Sequence, residues 1–142
     1  MTSIYDLVRG RELYHVQTQQ NVIEAAQGMV QRNIGAAPVL REGRLAGMFS
    51  ERDLMKHIIV EGRDPRATCV GDVMTTNPVV VAPNTDLESC LLLMREHGFR
   101  HLPICDGDRL VGIVSLRDLL MHDLDEKDGE VKQMRAYIQS EG

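Results

Sequence analysis

Tryptophan is absent from this chain, and aromatics are few: two Phe and three Tyr among 142 residues. Any core must therefore be aliphatic, packed by Val, Ile, Leu, Ala and eight Met, whose pliable side chains suit an adaptable interior. Cysteine is sparse and odd in number (Cys69, Cys90, Cys105), with no Cys-x-x-Cys spacing. That argues against a disulfide framework or a dithiol redox centre and fits a reducing compartment. No apolar run reaches the ~18–20 residues of a membrane span. The first ten residues lack the charged and apolar regions of a secretory signal, so the expected location is cytoplasmic. There is no basic tract, and the net charge of −5 speaks against nucleic-acid binding. Glycine-rich phosphate loops are missing too. His57, His97, His101 and His122 form no tight ligand pair with a Cys or a second His, so no metal site is expected. Nor does any nucleophile–base set cluster, so the chain does not read as an enzyme.

What the chain does have is a repeat. Residues 16–57 recur at 81–122 at a constant offset of 65, without a gap, and eleven of the 42 aligned pairs are identical. They are Val16/Val81, Met29/Met94, Pro38/Pro103, Arg44/Arg109, Leu45/Leu110, Gly47/Gly112, Ser50/Ser115, Arg52/Arg117, Asp53/Asp118, Leu54/Leu119 and His57/His122. Two such units make a pseudo-symmetric object with a central cleft and paired sites. Units of roughly 60 residues are marginal alone, which predicts a shared core.

In the second unit, the β-branched run between Pro78 and Pro83 predicts a strand. Thr85-Asp86-Leu87-Glu88 has capping-box spacing, and Leu87, Cys90, Leu91 and Met94 follow at helical intervals. The helix should run to about His97 and close at Gly98. Phe99–Cys105 is a predicted strand, Asp106-Gly107-Asp108 a tight turn, and Leu110–Val114 the return strand. Ser115-Leu116-Arg117-Asp118 then opens a second helix through about Met121 or beyond. The first unit repeats this order, with Asn21 as cap and Asn33 where Gly98 stands. Each unit is thus β-α-β-β-α. The segments divide as 4–60, a polar linker 61–71, 72–124, and a tail 125–142, with a last helix expected at 126–139.

The order of elements, the Pro38 and Pro103 strands, the Gly47 and Gly112 return strands and the Ser-x-x-Asp helix starts resemble a pair of CBS domains. The segment Val73-Met74-Thr75-Thr76-Asn77-Pro78 leading into the second copy adds to the likeness. The resemblance covers about residues 4–123 and is to the stand-alone two-domain proteins of that family, often called Bateman modules. It implies an α+β (α/β-type) fold in which the two repeats pack with pseudo-two-fold symmetry. It also implies a regulatory module rather than an enzyme, with an adenosine compound (AMP, ADP, ATP or S-adenosylmethionine) as ligand and no catalytic cofactor. A homodimer and an effector protein as partner are further implications.

The chemistry of the motifs fits such a ligand. A carboxylate can accept from both hydroxyls of a ribose, and a helix start with free N–H groups and a Ser hydroxyl favours an anion. The resemblance gives Asp53 and Asp118 to ribose, and Ser50 and Ser115 to the phosphate side. The same spacing is that of a capping box, which any helix can use, and one residue can serve both purposes. Arg52 and Arg117 can pair a phosphate or a neighbouring carboxylate, or stand as solvated helix-start charges. The family's base pocket is lined by the strand before each proline. Gly35-Ala36-Ala37-Pro38 leaves room for a planar ring, or for close packing of helix on sheet. Arg100-His101-Leu102-Pro103 offers cationic contacts to phosphate. The entry residues Thr76 and Pro78 belong to the implied site as well.

The two units are not equivalent. Residues 8–20 lack the Met-Thr pair and both prolines of the second entry segment, which puts the edge of a first cleft in question. The second unit is therefore expected to hold the better phosphate-bearing site. A ligand-independent dimerisation or interaction module acting on a partner enzyme is the competing expectation.

Overall fold

The computed structural model describes residues 2–141, with side chains through 138. In the first unit, β1 (Val16–Gln17) leads to α2 (Val22–Gln31) and then to the hairpin β2 (Ala36–Arg41) and β3 (Arg44–Ser50). A short turn of helix, α3 (Glu51–Asp53), continues as the π-helical stretch Leu54–Val60. The second unit has α5 (Leu87–His97), the hairpin β5 (His101–Asp106) and β6 (Arg109–Ser115), and α6 (Leu116–Glu141). Both hairpins pair in equivalent registers, Val39 opposite Gly47 and Ile104 opposite Gly112. The α+β fold with two repeated units is as expected.

Local chemistry explains most boundaries. Asn21 caps α2 by accepting from the Glu24 N–H at 2.9 Å. Asn33 and Gly98 occupy the same left-handed turn after their helices, at φ +54° and +71°. The cap of α5 is Asp86, which accepts from the Ser89 N–H at 2.6 Å, rather than the expected Thr85. Thr85 instead gives its carbonyl to the Ile4 N–H at 2.7 Å. The repeated His57 and His122 lie one turn before a carboxylate each, Glu61 and Glu126, both at 3.0 Å.

The strand expected between Pro78 and Pro83 shrinks to a single bridge, Val81 opposite Ile104. Its first-unit counterpart extends one bond further because the Thr18 N–H donates to the Leu40 carbonyl at 3.1 Å. Pro83 stands in Thr18's place and has no N–H to give. The tail also differs from expectation. α6 runs without a break from Leu116 to Glu141, joining the helix expected through Met121 or beyond to the last helix expected at 126–139. No proline interrupts it, and Gly129 costs only about 1 kcal/mol in a helix interior. Gly142, the end of the predicted tail, lies outside the described residues.

Two short helices tie the units together. α1 (Ile4–Val8) precedes the first unit but buries Ile4 and Val8 among Val81, Cys90, Met94, Leu102, Ile104, Val114 and Leu119 of the second. α4 (Val70–Val73) precedes the second unit but buries Val70 and Val73 among Val16, Val22, Ala25, Met29, Val39 and Phe49 of the first. The expected shared core is thus two cores, each completed by the helix that enters the other unit. After α4, β4 (Thr75–Thr76) joins β3, giving a first sheet ordered β1-β2-β3-β4 beside the two-stranded β5-β6. The exchange depends on the repeated glycines. A Cβ on Gly47 would meet Met74 Sδ at 2.8 Å, and one on Gly112 would meet Val8 Cγ2 at 2.9 Å.

Candidate functional site

Both Ser-x-x-Asp helix starts form reciprocal caps. Asp53 Oδ2 accepts from the Ser50 N–H at 2.9 Å, and Ser50 Oγ accepts from the Asp53 N–H at 3.3 Å. Asp118 Oδ2 accepts from the Ser115 N–H at 2.9 Å, and Ser115 Oγ accepts from the Asp118 N–H at 3.0 Å. The capping reading therefore holds in both units. What separates them is the remaining carboxylate oxygen. Asp53 Oδ1 accepts from the Thr75 hydroxyl at 3.1 Å, and Asp53 is only 7% exposed. Asp118 Oδ1 accepts from Arg11 Nη1 at 2.9 Å and faces an open cavity.

That cavity, of about 940 Å³, lies between the units. Gly35, Ala36 and Pro38 reach it from the first unit; Arg100, His101, Ser115, Arg117 and Asp118 reach it from the second. The small-residue strand and the cationic strand, expected to serve two sites, thus face one another across a single one. Strand alternation removes other candidates from it. Ala37 turns into the first core and Leu102 into the second. Pro103 is buried opposite Ile113 and, like Ser50, Arg52, Asp53, Thr76 and Pro78, lies outside this cavity. Arg52 is exposed, and Thr76 is spent on the edge of β3.

Sequence reasoning missed a third wall. The atypical entry segment, expected to blur a first cleft, runs along this one and supplies Arg11, Glu12, Leu13 and Tyr14. Arg32, at the end of α2, stacks its guanidinium 4.1 Å from the Tyr14 ring centroid. Tyr14 can lie there because Gly28 has no Cβ; one added would overlap the Tyr14 hydroxyl. The unusual residues of the first entry were themselves the signal, once the exchange of entry segments is known.

Four arginines line the cavity (Arg11, Arg32, Arg100, Arg117) against two acids, Glu12 and Asp118. Arg11 is paired to Asp118, and Arg32 sits 3.5 Å from Glu12. Arg100 and Arg117 have no ion-pair partner among the described residues. Glu51, whose carboxylate lies over Gly35, is a third acid nearby. Burial pushes the Asp118 carboxyl up, but bonds from the Ser115 backbone and Arg11 outweigh it and hold it below the usual carboxylate value. Burial, aided by Arg100, moves His101 down against the pull of Asp118 and Glu51, so its ring is neutral at pH 7. Burial also pushes the Cys90 thiol up to about 11, with Asp86 adding to it, which leaves it unreactive. Among the described residues no His, Cys, Asp and Glu group has the arrangement of a metal site. No helix among them is long and apolar enough to cross a membrane.

The CBS domain profile matches residues 5–60 and 70–125. The chain is 40% identical over 124 residues to the CBS domain-containing protein YhcV of Bacillus subtilis, covering 87% of each. It is 35% identical over 127 residues to the mitochondrial CBS domain-containing protein CBSX3 of Arabidopsis thaliana, and spans 62% of that protein's length. The crystal structure of CBSX2 from Arabidopsis in complex with AMP superposes with a TM-score of 0.80 at 26% identity, over 89% of this chain and 99% of that one.

Proposed function

This chain belongs to the CBS-domain family, and on that premise we propose that it is a regulatory module whose cavity between the two units takes a phosphate-bearing adenosine ligand. The observation that carries the reading is the cavity's make-up: one carboxylate, Asp118, at a helix start, with arginines in excess around it. Asp118 accepts the two ribose hydroxyls; Arg100, Arg117 and the Ser115 helix start take the phosphate. Gly35 and Ala36 leave a flat wall for the base. AMP in the CBSX2 complex supports the ligand class. The excess of arginine ranks AMP, ADP and ATP above S-adenosylmethionine, whose sulfonium brings a positive charge into an already cationic cavity. Asp53, closed by Thr75 and Ser50, makes no second site of equal quality.

Ligand changes the output only through unequal affinity for two arrangements of the module. The units are tied by α1 and α4, so an occupant touching both shifts their relation, and an effector protein reads the shift. Calorimetry with adenosine, AMP, ADP, ATP and S-adenosylmethionine tests the ligand reading: at least one nucleotide binds at micromolar to low millimolar levels, and silence from all five overturns it.

Self-association is a second part of the reading. Met55 and Ile59 after α3, and Leu124 on α6, are large apolar side chains more than half exposed, and Leu120 and Met121 on α6 are 49% exposed. A homodimer covering them gives the ligand-independent alternative its physical basis. Light scattering on the apo and nucleotide-loaded protein separates a dimer that ignores ligand from one that responds.

A further inference from the structure

Asp118 is the carboxylate that the ribose reading needs, yet in this structure its free oxygen is already taken by Arg11, 107 residues away in sequence. We propose that Arg11 is an exchangeable latch: it holds Asp118 while the cavity is empty, and moves to the ligand's phosphate when ribose hydroxyls claim the carboxylate. The inference rests on the adenosine reading above and deepens it by naming the residue that couples occupancy to the tie between the units.

Three observations carry it. The pair is open on the arginine side: the Arg11 side chain is 52% exposed and that of Asp118 19%, so water can replace Arg11. Its counterpart in the first unit is different in kind, since Asp53 is closed by a neutral hydroxyl, Thr75 Oγ1, in a buried setting. And Arg11 lies in the exposed run 9–12, with open space beside it. Gly10, at φ +81°, has no atom within 4 Å of where a Cβ would stand.

The position of that segment gives the exchange a consequence. Residues 9–15 join α1, which is packed in the second unit's core, to β1, which belongs to the first unit's sheet. An Arg11 that leaves Asp118 for phosphate pulls on the stretch of chain that crosses between the units. The released guanidinium does not travel far, because Arg11 and Asp118 line one cavity with Arg100 and Arg117.

The latch makes opposite predictions for two ligands that differ only in phosphate. Adenosine must displace Arg11 and gains nothing from it; AMP displaces it and recovers it. Calorimetry on the wild type and Arg11→Ala, each with adenosine and with AMP, reads the difference, with circular dichroism confirming that the variant is folded. Arg11→Ala is expected to bind adenosine about threefold more tightly, as a weak exposed pair no longer competes. It should bind AMP about tenfold more weakly, through loss of a charge-assisted bond to phosphate. Arg11→Lys, which keeps the charge but not the fork, should fall between. Two affinities that move in the same direction, or neither moving, overturn the latch while leaving the adenosine reading intact. A wild type that binds neither adenosine nor AMP overturns the latch, and silence from ADP, ATP and S-adenosylmethionine as well overturns the adenosine reading with it.

Discussion

Gly47 faces the Thr75 carbonyl so closely that an added Cβ would lie 2.5 Å from the oxygen. This approach is what lets β4 join β3, and what seats Met74 behind α4 on the first unit. Its repeat partner Gly112 accommodates Val8 at the end of α1. The two glycines are identical between the repeats because each receives the entry segment of the opposite unit.

Gly47→Ala must therefore move a backbone carbonyl, whereas Gly112→Ala must move one methyl of Val8. The expected loss of stability is about 1–3 kcal/mol for Gly47→Ala, and less for Gly112→Ala. Thermal or urea denaturation of the two variants beside the wild type checks the order. Equal losses would mean that the close strand contact is not what the glycine protects.

Gly28→Ala tests the third wall of the cavity. The new methyl expels the Tyr14 hydroxyl from its notch on α2 and breaks the stack with Arg32. The fold should survive, since the displaced ring lies at the edge of the cavity, while nucleotide affinity falls several-fold. Tyrosine fluorescence, undisturbed by any Trp, reports the displacement directly, and calorimetry reads the affinity.

The two aspartates should separate stability from binding. Asp53→Ala leaves the Ser50 and Thr75 donors unpaired around a buried position and should cost about 1–3 kcal/mol of stability. Asp118→Ala loses one bond of its capping box, from the Ser115 N–H, about 1 kcal/mol, and a half-exposed ion pair that adds little. Chemical denaturation of both variants gives the comparison, and a larger loss in Asp118→Ala would contradict it.

His101 gives the protein a pH response of known sign. Its folded-state pKa lies below the ordinary 6.5, because burial disfavours the imidazolium and Arg100 repels it. The neutral ring's contribution to stability is full above the unfolded value and is lost as pH falls below about 6.5 through the folded value. His101→Asn should flatten this part of the stability curve. A bound phosphate reverses the pull and raises the pKa of His101, while adenosine alone does not. Imidazole resonances followed by NMR titration, free and with each ligand, check both statements.

The repeat makes much of this legible in the sequence. The cap at Asn21, the Asn33 and Gly98 turns, and both hairpins follow from local patterns that a constant offset of 65 doubles. What stayed hidden is long-range. Nothing local in Ile4–Val8 or Val70–Val73 says that each helix packs on the other unit, so neither the separate cores nor the Arg11–Asp118 pair could be read out. The strand at Val81 is shorter than its β-branched run suggests because Pro83 has no N–H to give. Composition alone does not show that strand alternation sends Ala37 of the run Gly35–Pro38 away from the cavity that Ala36 and Pro38 line.

The most direct test of the account is AMP calorimetry on the wild type, Asp53→Ala and Asp118→Ala. The account predicts one strong site per chain, kept in Asp53→Ala and weakened tenfold or more in Asp118→Ala, whose lost carboxylate bonds to the ribose are worth about 1.5–3 kcal/mol. Binding that survives Asp118→Ala and disappears with Asp53→Ala, in proteins shown to be folded, would place the ligand on the other side of the pseudo-two-fold and contradict it.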